Sequence, residues 1–402
     1  MSVGNLTVTN ARIFNGFDAD MEEGAIRIAQ GDIVEAGHGV RPGNDDELID
    51  ARGAVVTPGF IDNHMHAYGV SLNMMEMEAS PTSWVALKGS RRLESALKRG
   101  FTTVRDVAGG DIGLKMAIEQ DIFPAPNYYF TGPALSQTGG HGDPRSAHLD
   151  VCCSNHHGVE IVDGVDNLRV AVRERLRTGA HAIKIMASGG VVSLTDPIRI
   201  PQYSGEEIRA VTEEASRRGS YVAAHAYSPE AITHAVRNGV RSIEHGNLLD
   251  AESADEMRKA GAVLVPTLVT YFAMAKHGSD LGMAPVALGK NAQVLQSGQS
   301  AVELAMSVGI PVGFGSDLMG DLEYMQLSGI PLQHEVQGTL ELLRSLTSRN
   351  AQILGVERHG RVAPGCTGDL LILPGDPFVS PSVLWEESPD RIVIKSGRRI
   401  VG

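Results

Sequence analysis

Residues Pro58–Ala67, PGFIDNHMHA, decide how the chain reads, because an apolar, strand-like run ends there in two histidines spaced two apart. Successive side chains of a strand point to opposite faces, so His64 and His66 leave on the same face. Imidazole is a common ligand for zinc and other borderline divalent metals, and two such groups at a strand end can form half of a site. Alone, such a pair is weak evidence for metal and is better explained by two histidines satisfied by backbone hydrogen bonds. The rest of the chain supplies the company it needs.

Downstream of this run, TTVRD, NYYFTG, AIKIMAS, YVAAH, SIEHG, VLVPT and VGFGSD repeat its texture: apolar, ending in a polar residue, and followed by a stretch of helical period. Together with GFIDNH they make eight. Strand and helix in alternation yield parallel strands joined by right-handed crossovers. Eight such units suit a barrel. Among the helical stretches, SPEAITHAVRNG has Ser228 placed as an N-cap, Pro229 at the first helical position and Gly239 as the stop. Upstream, LTVTNARIFNG, AIRIAQGDIVEAG and ELIDARGAVVTPG read as short strands separated by turns, and GRVAPGCTGDLLILPGDP and IVIKSGRRIVG close the chain in the same way. The expected fold is α/β: a (β/α)8 TIM-type barrel over 58–357, with a small β-sandwich domain made by both termini, 1–57 plus 358–402.

Three further strand ends carry metal-binding chemistry. His225 closes YVAAH, His245 closes SIEHG, and Asp317 closes VGFGSD. A carboxylate there can bind metal and also receive a proton from bound water. Lys184 sits inside the apolar run AIKIMAS, where an unpaired buried ammonium is costly. Two explanations are open: a structural pairing with a carboxylate, or a neutral amine that reacts with carbon dioxide to give a carbamate able to bridge two cations.

Bulk properties narrow the field. With 42% hydrophobic and 21% charged residues, the 402-residue chain has the make-up of a soluble globular protein. Its net charge of −13 disfavours nucleic acid as a partner. The basic runs Lys88–Arg92 and Arg398–Arg399 read as solvated surface. Three cysteines, two of them adjacent at Cys152 and Cys153, suit a reducing cytoplasm. No basic start followed by an apolar stretch and no window of about 18 apolar residues occurs, so neither export nor membrane insertion is expected. Neither a phosphate-binding GxxxxGK[ST] loop nor a dinucleotide GxGxxG fingerprint is present at the first strand.

The order HxH, lysine, histidine, histidine, aspartate over eight βα units, bracketed by terminal β segments, resembles the binuclear branch of the amidohydrolase superfamily across nearly the whole chain. The resemblance implies two divalent metal ions, zinc by expectation: His64 and His66 hold one with Asp317, and His225 and His245 hold the other. Carboxylated Lys184 and a hydroxide bridge them, and Asp317 is the catalytic base and acid. The strings ALSQTGGHGDPR, IKIMASGGVVS, HAYSPEAI, IEHGN and VPTLVTY are similar to an imidazolonepropionase-related subgroup that contains bacterial Xaa-Pro dipeptidases of prolidase type. This implies cleavage of the amide bond of a dipeptide or N-acyl amino acid, with His141 and Tyr227 beside the metals and touching the substrate carbonyl or carboxylate. Gly142 leaves no side chain next to His141. Arg145 and Arg199 are candidates to pair with a substrate carboxylate. Other reactions fit the same ligands: an amidase on an N-acyl aromatic amino acid (ochratoxin-type) or a cyclic amide, or a phosphoester or phosphonate hydrolase. A barrel that has lost its chemistry is a further reading, ranked last. The subgroup implies a homo-oligomer. The segment Asp143–Asp163 holds His148, Cys152, Cys153, His156 and His157, whose spacing does not match a C-x2-C knuckle; it is expected to read the substrate or touch a second subunit.

Overall fold

The computed structural model describes residues 5–146, 148, 157–193 and 196–402. Five short strands come first: β1 (Leu6–Ile13), β2 (Glu22–Ala29), β3 (Asp32–Gly37), β4 (Glu47–Asp50) and β5 (Val55–Pro58). The barrel region follows, with β6 (Phe60–Met65), β7 (Phe101–Asp106), β8 (Asn127–Phe130), β9 (Ala134–Ser136), β10 (Val159–Ile161), β11 (Ile183–Met186), β12 (Val222–Ala226), β13 (Ser242–His245) and β14 (Val263–Val265). Three last strands, β15 (Leu370–Ile372), β16 (Ile392–Lys395) and β17 (Arg398–Val401), return to the first five. The architecture is a (β/α)8 barrel carrying a β-rich unit built from both ends of the chain.

Strand pleating sorts the barrel residues. Ile183, Ile185, Val222, Ala224, Ile243 and Leu264 pack outward against helix residues such as Leu168, Val172, Ile208 and Val211. Each such buried aliphatic side chain larger than alanine stabilises the fold by about 1.5–3 kcal/mol. The alternate positions, Lys184, His225 and Glu244, take the other face. The helices begin where their caps predict. Ser228 Oγ accepts from Ala231 N at 3.2 Å ahead of Pro229–Arg237, and Ser204 forms a capping box with Glu207 ahead of Gly205–Arg217.

Two departures from eight even strands have visible causes. The third run is broken: β8 pairs with β7, whereas β9 pairs with β11 through Leu135 and Ile185. Between them lie Gly132, at φ 70°, and Pro133, which has no N–H to offer a ladder. The eighth run, VGFGSD, closes the barrel as an extended segment without a regular ladder. It bonds to β14 through Gly313 N and Leu264 O (2.8 Å), and to β6 through Asn63 N and Phe314 O (2.9 Å) and Ser316 N and His64 O (3.1 Å). The Asn350 side chain fills this seam, donating to Ile61 O (2.7 Å) and Phe314 O (2.8 Å) and accepting from Phe314 N (3.0 Å). A Cβ at position 313 would lie 2.4 Å from Asn350 Oδ1, so glycine is required there.

The described residues of both termini form one eight-stranded sheet in the order β17-β16-β15-β5-β1-β2-β3, with β4 parallel to β1. Its far edge folds back, as Ile33 N donates to Cys366 O and Gly365 N to Ile33 O, each at 2.8 Å. Ile26, Ile28, Ile33, Val56, Leu370 and Ile394 share the core that results. One residue, Gly59, then separates β5 from β6, so the histidine strand hangs directly from this unit. Among the described residues, no helix is long and apolar enough to cross a membrane.

Candidate metal centre

The C-terminal ends of the barrel strands converge on one inner cavity of about 80 Å³, lined by His64, His66, Lys184, His225, His245 and Asp317. Asp317 is central. Its Oδ1 accepts from His66 Nε2 at 2.8 Å and lies 3.4 Å from His64 Nε2, and its Oδ2 is 3.7 Å from His245 Nδ1. His64, His245 and Asp317 each present one ligand atom within 4.8 Å of the others. His225 is close by, its ring 4.5 Å from that of His245, but its Nε2 donates to Gly189 O at 3.1 Å. The most compact group therefore draws one histidine from each expected pair.

Burial sets the charge state. It lowers the pKa values of His66, His225 and His245, leaving neutral rings with a lone pair to give. Burial also acts on Asp317, in the opposite direction, but the His64 charge and the bonds from His64 and His66 outweigh it and hold the carboxyl well below its usual range. Lys184 is brought down to about 8 by burial, against the pull of Glu244 and Asp317. Its amine makes no hydrogen bond or ion pair with any described residue. Neutral imidazoles, a carboxylate and a spare amine form a donor set that fits divalent cations.

Two residues that the sequence reading passed over orient this group. Glu244 Oε2 accepts from His64 Nδ1 at 2.6 Å, which leaves Nε2 as the nitrogen facing Asp317. Arg105 holds Glu244 with two bonds of 2.8 and 2.9 Å, and Ser242 Oγ adds a third at 2.5 Å. Burial opposes ionisation of Glu244, but Arg105 and His64 keep its pKa below the ordinary carboxylate value. The strands also end under strain: His245 (φ 74°), Thr267 (φ 47°) and Asp317 (φ 53°) all occupy the left-handed region. Such positions cost about 1–3 kcal/mol each and persist where the surroundings enforce them. Here Thr267 Oγ1 sits 2.8 Å from His245 Nδ1, and Asp317 N donates to His64 O at 2.6 Å.

His141 and Tyr227 line the same cavity. The His141 ring stacks on His225 at 4.1 Å, and its Nδ1 is 2.8 Å from Ser193 Oγ. A Cβ on Gly190 would lie 2.0 Å from that ring, so the glycine makes room for it. Tyr271 donates its hydroxyl to Tyr227 at 3.0 Å, leaving the Tyr227 proton free to be donated elsewhere. Packing accounts for Gly142, where a Cβ would meet Val159 Cγ1 at 2.5 Å and Ser136 Cβ at 2.8 Å. The arginines stand further out. Arg145 pairs with Asp143 at 2.7 Å and lines an outer vestibule of about 670 Å³. Arg199 pairs with Glu230 (3.0 Å) at the exposed surface and is not among the residues that line either cavity. In the long loop, His157 is buried with its Nε2 2.8 Å from Ser80 O, His148 is exposed, and Cys152, Cys153 and His156 lie outside the described residues.

Residues 55–400 match the model of the amidohydrolase family. The chain belongs to that family. This amidohydrolase is 40% identical to a prolidase whose crystal structure holds N-methylphosphonate-L-proline, with a TM-score of 0.95 over 99% of each chain. It is 27% identical to an Xaa-Pro dipeptidase crystallised with methionine in its active site, with a TM-score of 0.88 over 99% of this chain and 100% of that one. Ochratoxinase of Aspergillus niger is 29% identical over 367 residues, which cover 87% of this chain and 76% of that protein. The chain is thus a hydrolase of the class named for amide bonds.

Proposed function

We propose that this amidohydrolase cleaves the amide bond of a dipeptide or N-acyl amino acid in the manner of an Xaa-Pro dipeptidase. The observation that carries the reading is the meeting of His64, His66, Lys184, His225, His245 and Asp317 in one cavity, with His141 and Tyr227 in its wall. The 40% identity with a prolidase supports the choice of substrate class.

His64 and His66 with Asp317, and His225 with His245, would hold two cations of the zinc type, and Lys184 would bridge them once carboxylated. Its neutral amine attacks carbon dioxide, forms the N–C bond and releases a proton, and the pKa of about 8 makes that amine accessible near neutrality. When bound, the cations activate a water molecule and polarise the scissile carbonyl. Asp317 takes the proton from the attacking water and delivers it to the leaving nitrogen. Tyr227 donates its hydroxyl to the substrate carbonyl or carboxylate, and His141 completes that wall. Glu244 keeps the His64 ring oriented throughout. The reading further includes a homo-oligomer in a cytoplasmic setting, and a division of the chain into 58–357 and the joined segments 1–57 and 358–402. A second reading, hydrolysis of an N-acyl aromatic amino acid, draws on the 29% identity with ochratoxinase.

Metal analysis of the purified protein, followed by an amine-release screen over Xaa-Pro dipeptides and N-acyl amino acids, tests both. Near two metals per chain with release of the C-terminal residue is expected. Absence of release from every dipeptide and N-acyl amino acid overturns the proposal.

A further inference from the structure

The basic run Lys88–Arg92 reads as solvated surface, and Lys88 and Arg91 are exposed, but Arg92 is buried. It lies on the helix Thr82–Lys98, and among the described residues no carboxylate stands within ion-pair distance of it. All three of its nitrogens go instead to backbone carbonyls: Nε donates to His66 O (3.1 Å), Nη1 to Gly320 O (2.8 Å) and Nη2 to Leu318 O (2.6 Å). Burial draws its pKa down to about 10, so the group still carries its charge at neutral pH. A buried cation held by carbonyls alone is costly, and its place needs a reason.

The three carbonyls sit where two ligand-bearing segments run out of ladder. β6 ends at Met65, and the bonds from Ser316 N and Asp317 N to His64 O tie the eighth run to it just before that end. Beyond them, Arg92 bridges the two segments, helped by Gly320 N, which donates to Gly69 O at 2.8 Å. Asp317, with its left-handed backbone, is therefore gripped on both sides: its N–H by His64 O, and the next carbonyl, Leu318 O, by Arg92. His66 Nε2 and Asp317 Oδ1, the side-chain atoms placed in this way, meet at 2.8 Å.

The other ligands have other supports. Arg99, about two turns further along the same helix, donates from Nε to Gln326 Oε1 (2.9 Å), and Gln326 Nε2 donates to Asp62 Oδ2 (2.7 Å). Asp62 Oδ1 then accepts from His64 N and Ser316 N, each at 3.0 Å, so His64 is tied without Arg92. His225 and His245 stand on β12 and β13, to which Arg92 makes no bond.

Resting on the proposed two-cation chemistry, we propose that Arg92 is a positioning residue: by gripping the carbonyls of His66, Leu318 and Gly320 it sets the spacing of His66 and Asp317, and with it the affinity for the cation that those two residues share. The guanidinium acts as a planar fork with one nitrogen for each carbonyl, which a single ammonium on a shorter stem cannot repeat in full. The cation assigned to His225 and His245 is indifferent to it.

Crystals of chelator-stripped Arg92→Lys and Arg92→Ala proteins read the spacing without metal or turnover. The gap between His66 Nε2 and Asp317 Oδ1 should open beyond hydrogen-bonding reach while the His225 and His245 rings keep their places. An unchanged gap in both variants overturns the inference, as does equal displacement of all four histidines, the mark of a merely structural residue. Zinc titration of the stripped proteins should show one of two binding steps weakened about 10–100-fold and the other within about threefold of the parent protein. Millimolar guanidinium chloride, but not sodium chloride at the same concentration, should restore the weakened step in the Ala variant by filling the space left by the side chain. Both steps weakened alike, or no rescue of the folded Ala variant, overturns the inference as well. If Arg92→Ala does not fold, Arg92→Lys, which keeps the buried charge, serves for the crystal comparison and the titration. The two readings fail separately. A parent protein that takes up no cation sinks the two-cation chemistry and leaves the crystal comparison to decide Arg92, whereas two cations bound equally well by parent and variants sink Arg92 alone.

Discussion

Glu244 Oε2 and His64 Nδ1 stand 2.6 Å apart in the barrel interior, and the same carboxylate is the counter-charge of the fully buried Arg105. Replacing Glu244 with Gln would leave that guanidinium without an anion and only one acceptor oxygen for His64, Arg105 and Ser242 to share. A loss of about 3–5 kcal/mol in stability is expected from the unpaired charge. Metal content should fall about 10–100-fold in affinity terms as the ring loses its orientation. Thermal unfolding and metal titration of the Glu244→Gln protein check the two effects separately, and an unchanged metal affinity would remove Glu244 from the site.

For Lys184→Ala, most bound metal and activity should disappear, and millimolar propionate should bring part of each back by standing in for the carbamate. Rescue is the discriminating measurement. Full activity without any added acid would take Lys184 out of the reaction.

Asp317→Asn keeps an oxygen ligand but cannot accept a proton in the same way. Metal should be largely retained while kcat falls by about 10²–10⁴, the range supplied by a positioned acid or base. Unchanged kcat would mean that another group moves the proton.

Lys290 donates to three backbone carbonyls of the loop after β11: Gly190 O (3.0 Å), Ser193 O (2.7 Å) and Asp196 O (2.7 Å). Because Ser193 Oγ touches His141, this clamp positions the ring from the far side of the loop. Lys290→Met should leave metal content intact and lower kcat about tenfold, with Lys290→Arg recovering part through its own donors. Separate kcat and KM values for both variants decide whether the loop acts on binding or on turnover.

Burial raises the Asp106 carboxyl to about 7, against bonds from Tyr128 Oη (2.7 Å) and Ala67 N (3.3 Å). Its folded value exceeds the unfolded one, so between about pH 4 and 7 the folded state holds more protons and its stability falls as pH rises. Asp106→Asn removes that slope and should stabilise the protein by about 2–4 kcal/mol at pH 8 while changing little at pH 4. Urea unfolding at both values measures it; an equal effect at the two would contradict the shift.

Much of the fold was legible because it depends on local pattern. The histidines and Asp317 stand at strand ends that apolar runs announce, and Ser204 and Ser228 cap helices that their spacing predicts. Lys184 was legible through the cost of burying charge. The same reasoning applied to Arg105 in TTVRD and Glu244 in SIEHG would have paired them, since both are charges inside apolar runs. Gly132 and Pro133 carried the signal for the broken strand. Asn350 gave none, for its partners lie 36 and 287 residues away. The left-handed backbone at Thr267 runs against the preference of a β-branched residue and is imposed by tertiary contacts. For Arg199, a solvated surface pair and a substrate contact look alike in one dimension.

The side-chain amide that joins β6 to the eighth run also sets an order in time. His64 and His66 emerge early in synthesis, yet the backbone that presents Asp317 to them is stitched in place by Asn350, made 33 residues after Asp317 and 286 after His64. A growing chain that has reached Asp317 already holds every candidate ligand but not the stitch. The finished setting of the eighth run against β6, and with it the placing of Asp317 beside His64, therefore waits for Asn350.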